Sequence, residues 1–98
     1  MQKRPPYSRE TAEMLAVQAL AFIVEDDGRL NGFIASTGIA AQSIRDAARD
    51  PNFLVGVLEH ILADENLLIA FADSAGFDPA EVARSRQALA KVWERDLP

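Results

Sequence analysis

Two stretches decide the fold: Leu15-Ala16-Val17-Gln18-Ala19-Leu20-Ala21-Phe22-Ile23-Val24 and Phe53-Leu54-Val55-Gly56-Val57-Leu58-Glu59-His60-Ile61-Leu62. They lie 38 residues apart and read as near copies. In the first, Leu15, Ala16, Ala19, Leu20, Ile23 and Val24 fall at i, i+1, i+4, i+5, i+8 and i+9. That spacing wraps a wide apolar stripe around one face of an α-helix. Phe53, Leu54, Val57, Leu58, Ile61 and Leu62 repeat it.

Working outward, the echo continues. Asp26 matches Asp64, Leu30 matches Leu68, Phe33 matches Phe71, Ser36 matches Ser74 and Gly38 matches Gly76. Residues 14–50 set against 52–88 share eight identities, which fall on stripes, caps and helix-ending glycines. Ser8 is an N-cap for a first helix from Arg9 to Glu25, with Tyr7 before it as a staple residue. Asp26 caps a second helix, which ends at Gly38 because glycine accepts the left-handed conformation of a helix C-terminus. A short third helix spans about Ala41 to Arg49, with Ile44 and Ala48 inward. Asp50-Pro51 restarts the pattern, Asp as cap and Pro at the first helical position. The fourth helix is expected over Pro51 to Ala63, and the fifth between Asp64 and Gly76. Asp78-Pro79-Ala80-Glu81 opens a sixth, to about Arg95. There the Asp78 carboxylate is expected to accept from the Glu81 N–H while Glu81 reaches back. No segment alternates with a two-residue period between turns, so no sheet is expected. The fold class is therefore all-α. It is a six-helix domain of two pseudo-symmetric three-helix units, about 12–50 and 51–95, joined as one domain over 8–98. Residues 1–7 are expected to be a disordered basic lead.

Composition narrows the function classes. The chain has 98 residues, enough for one domain with a single core. It has no cysteine, hence no disulfide framework and no thiolate ligand or nucleophile. No apolar run approaches the ~20 residues of a membrane span. The first residues do not read as a signal peptide, so a cytoplasmic protein is expected. Net charge is −5. That works against nucleic-acid or anionic-membrane binding, both of which rest on a positive field.

Residues 15–22 (LAVQALAF), the turn Ser36-Thr37-Gly38-Ile39, Ser43-Ile44-Arg45 and residues 49–64 (RDPNFLVGVLEHILAD) carry a family likeness. It continues from Leu68 to Val82 through Phe71, Ala75-Gly76-Phe77 and Pro79. The chain resembles the domain of unknown function 3572 family, small bacterial proteins found mainly in alphaproteobacteria. The resemblance implies a small all-helical cytosolic protein. It carries over no catalytic residue, cofactor or partner.

Candidate chemistry is sparse. His60 is the single histidine, one turn before Asp64 and beside Glu59. A metal site needs more ligands than that pair, and a catalytic base needs a nucleophile and an orienting group. The acidic clusters Glu25-Asp26-Asp27 and Asp64-Glu65 stand where carboxylates cap helices. No catalytic constellation, metal site or cofactor is therefore expected, and the chain is read as a non-enzyme. The leading expectation is a protein-interaction or accessory module. Val17, Phe22, Val55 and Ile69 are apolar but lie off or at the margin of the stripes, and together they form the candidate partner surface. An unidentified protein partner is expected there, and a homodimer is one form such a patch allows. The alternative is a helix-turn-helix DNA-binding regulator. Ala72, Gly76, Phe77 and Val82 have its spacing, and Arg84, Arg86 and Lys91 would be its DNA contacts. Pro79, Ala80 and Glu81 occupy the positions that meet base edges, and they read bases poorly.

Overall fold

A computed structural model describes residues 8–95, with side chains described over 8–90. The expectation for residues 1–7, the Tyr7 staple and the side chains of Lys91, Val92 and Trp93 lie outside the described residues. Six α-helices follow in order: α1 (Arg9–Val24), α2 (Asp27–Thr37), α3 (Ile44–Ala47), α4 (Pro51–Leu62), α5 (Glu65–Ala75) and α6 (Pro79–Arg95). A 3-10 turn, Ala41–Ser43, leads into α3. No strand occurs among the described residues. The chain is all-α, as the periodicity requires.

The caps explain most of the boundaries. Ser8 Oγ accepts from the Thr11 N–H at 3.1 Å. Asp26 Oδ2 accepts from the Arg29 N–H at 3.0 Å. Asp64 Oδ1 accepts from the N–H groups of Asn66 and Leu67. Each contact satisfies a backbone donor that the first helical turn leaves without a partner. At α6 the capping box forms in altered register. Glu81 Oε1 accepts from the Asp78 N–H at 2.8 Å, as expected. The Asp78 carboxylate, however, accepts from Ala80 at 2.9 Å, while the Glu81 N–H goes to the Asp78 carbonyl. Gly38 and Gly76 close α2 and α5 at φ 75° and 78°, in the left-handed region where a Cβ is strained.

The third helix is shorter than its pattern suggested. After Ala47 the bonds tighten to i→i−3, from Arg49 N–H to Asp46 and from Asp50 N–H to Ala47. Asp50 then turns extended, at φ −94° and ψ 118°. Pro51 imposes this, because its ring disfavours the helical conformation in the residue before it.

The core lies where α1, α4 and α6 pack together. Leu15, Ala16, Ala19 and Ile23 of α1 meet Val57, Leu58 and Ile61 of α4, with Val82 and Leu89 of α6, all buried. Helix α2 packs on α1 and contributes Phe33, while α5 packs on α4 and contributes Phe71. Phe71 meets the ring of Phe22 at 5.5 Å, and Phe33 meets that of Phe53 at 5.9 Å.

Several element bounds coincide at the 38-residue offset, although α1 and α4 begin 42 residues apart. Helix α2 spans 27–37 and α5 spans 65–75; α1 ends at 24 and α4 at 62. The third elements begin at 41 and 79. Packing departs from that correspondence. Helix α6 runs 17 residues against both α1 and α4, whereas α3 has 4 residues and no comparable packing on either.

A candidate interaction groove

The missing length of α3 has a geometric consequence. Between α1 and the 3-10 turn with α3 lies an open groove of about 620 Å³. Val17, Leu20, Ala21 and Val24 of α1 form one wall, and Leu30 of α2 closes one end. Ala41, Ile44 and Ala48 form the other wall. Gln42, Arg45 and Asp46 supply the polar rim.

The α1 wall rises to an apolar ridge. Met14, Val17 and Val24 are 60%, 48% and 42% exposed. Ala21 lies between them and is exposed as well. Spaced i, i+3, i+7 and i+10, they share one face of the helix. Large apolar side chains exposed together in this way mark contact surfaces more often than scattered ones do. Arg45 and Asp46 are exposed and make no ion pair among the described residues.

The expected partner surface divides on inspection. Val17 is on the ridge. Ile69 is 52% exposed but sits on α5, away from the groove lining. Phe22 is not a surface residue: it is 7% exposed, packed on Phe71 and covered by a guanidinium. Arg29 Cζ lies 3.7 Å from the Phe22 ring centroid. Arg29 Nη1 also donates to the Phe22 carbonyl at 3.0 Å, near the C-terminal end of α1. Stacking and helix-end bonding together seal that ring. Val55 is half-buried against the core and likewise leaves the candidate surface. Val24, assigned to the buried stripe, is exposed and lines the groove. The heptad-like spacing of Met14, Val17, Ala21 and Val24 was the signal that could have found the ridge.

A second hollow, between α4 and α6, is lined by Leu62, Ala83, Arg84, Arg86 and Gln87. It holds two of the three candidate DNA contacts. Arg84 is exposed, while Arg86 is engaged within the chain. Arg86 Nε and Nη2 donate to Glu59 Oε2 at 3.1 and 2.8 Å. Subtracting 38 maps Leu62, Ala83, Arg84 and Arg86 onto Val24, Arg45, Asp46 and Ala48. All four line the larger groove. The two hollows therefore occupy corresponding positions, and the Glu59–Arg86 pair corresponds to Ala21 and Ala48.

His60 is half-buried, with its ring edge-on to Phe33 at 5.1 Å. Among the described residues no three or more His, Asp or Glu side chains are placed to hold a metal ion. No described helix is long and apolar enough to cross a membrane.

Fold and surface together define a small all-α, six-helix protein with an apolar groove beside an exposed ridge. The chain belongs to the family described as protein of unknown function (DUF3572), whose model matches residues 9–91. No curated protein and no solved structure matches it.

Proposed function

We propose that the chain is a non-enzymatic protein-interaction module that works in the cytoplasm and docks its partner through the α1–α3 groove. The observation that carries this reading is the ridge of Met14, Val17 and Val24 beside an apolar hollow. Keeping such side chains in water forgoes roughly 25 cal/mol for each Å² of apolar surface. A partner that covers the ridge recovers that stabilisation. The few polar groups stand at the rim, where they set register rather than chemistry.

Comparative capture tests the reading. Tagged wild-type protein is expected to retain a defined protein that the Ala21→Glu variant loses. Ala21 is an exposed helix position, so the substitution places a charge in the groove mouth without entering the core. Equal retention by both proteins, with circular dichroism unchanged, would remove the groove from the account.

The helix-turn-helix reading has one supporting feature, the corner that Gly76, Phe77 and Val82 make between α5 and α6. Its charge pattern works against it. Arg86 is tied to Glu59, and α6 opens with Pro79, Ala80 and Glu81. A mobility shift at low salt, where counterion release favours binding most, is the check.

A further inference from the structure

The ridge has a spacing, and the groove rim a charge pattern, that a second copy of this chain can match. Met14, Val17, Ala21 and Val24 are separated by three, four and three residues. That order reads the same from either end. When two copies of α1 lie antiparallel, Met14 faces Val24 and Val17 faces Ala21, with the mid-point level with residue 19. A three-four spacing is also the one that keeps an apolar seam facing a partner helix. Ala21 is small and lets the two backbones approach closely.

The rim adds a second, independent pattern. Arg45 and Asp46 are neighbours of opposite sign, both exposed and neither ion-paired among the described residues. A two-fold contact uses one patch twice, so its charges must complement themselves. One positive beside one negative satisfies that condition; a rim of a single sign would oppose it.

We propose that the groove is a self-association surface, with a second copy of this chain docked across a two-fold axis. The two α1 ridges run antiparallel along it. Arg45 faces the partner subunit's Asp46, and Asp46 faces the partner subunit's Arg45. This inference rests on the docking reading above and assigns its occupant.

Sedimentation equilibrium from micromolar to millimolar protein tests it. Wild type is expected to pass from monomer to dimer as concentration rises. Ala21→Glu should weaken the dimer by at least about tenfold in Kd, a large effect for one exposed residue. Arg45→Asp, which sets like charges across the axis, should weaken it several-fold. The exchange Arg45→Asp with Asp46→Arg should restore it. A monomer throughout the range overturns the inference, as does a dimer that Ala21→Glu leaves unchanged. Failure of the exchange to restore association overturns the assignment of the rim. A photo-crosslinker at Val17, used in cells, separates the two readings. A monomer in solution that crosslinks to one different protein overturns self-association and leaves the docking reading standing. A monomer that crosslinks to nothing removes both.

Discussion

Between α4 and α6, Glu59 and Arg86 meet at 2.8 Å. Between α1 and α3, the residues at the same places in the 38-residue offset are Ala21 and Ala48, which carry no charge to pair. On one side a long helix and an ion pair border a hollow of about 510 Å³ with arginines in its lining. On the other a 4-residue helix and two alanines border a groove that is mostly apolar. The comparison separates folding from surface. Stripes, caps and helix-ending glycines agree between the halves, because each half must build helices and bury one face. The side chains over the hollow differ in charge, although Ala48 and Leu62 still pack in part against the core.

The most damaging way to test the comparison is through the ring that each half sends into the shared core. Phe33 is 0% exposed and Phe71 is 1% exposed. Phe33→Ala and Phe71→Ala are each expected to cost about 3–5 kcal/mol, the range for buried aromatic truncations. That is a large fraction of the ~5–15 kcal/mol by which a domain is stable. Urea denaturation followed by circular dichroism should show both losses. A small loss in one half alone would show that the halves do not contribute equally to one core.

The helix-ending glycines sharpen the comparison at a smaller scale. Gly38→Ala and Gly76→Ala each force a Cβ into the left-handed region, at about 1–2 kcal/mol. Their stability losses should be similar, and their effects on self-association should differ. Gly38 sets the direction of the groove wall, so its substitution should weaken the dimer. Gly76 sets the entry to α6 and should leave the dimer nearly unchanged. Equal effects on association would place the interface elsewhere.

The fold was legible because its determinants are local. Asp26 and Asp64 announce helix starts through side-chain geometry alone, and Gly38 and Gly76 announce stops through their lack of a Cβ. The site was less legible because exposure depends on the neighbouring helix. Val24 lies at the edge of the stripe, turned about 100° from Ile23 and shared with the face of Met14, Val17 and Ala21. Phe22 lies off that stripe yet is buried, because Phe71 and Arg29 come to it from α5 and α2. Helical periodicity assigns a face. It does not say that α3 ends at Ala47.

The smallest expected effect isolates the difference between the halves. Ala21→Glu with Ala48→Arg would transplant the ion pair of the second half onto the first. Glu59 and Arg86 are 50% and 38% exposed at their side chains, so solvent screens their attraction. A pair of that kind contributes about 0–1 kcal/mol. Removing it with Glu59→Ala and Arg86→Ala, analysed as a double-mutant cycle, should yield a coupling within that range. Transplanting it should change stability by no more. Association should respond far more strongly, because the new side chains would fill the groove mouth and bring charge to an apolar contact. Folding energy that barely moves while the dimer is lost would locate the function of this surface in the absence of the pair. A transplant that costs several kcal/mol would instead show that Ala21 and Ala48 are held small by packing, and the correspondence between the two hollows would fail.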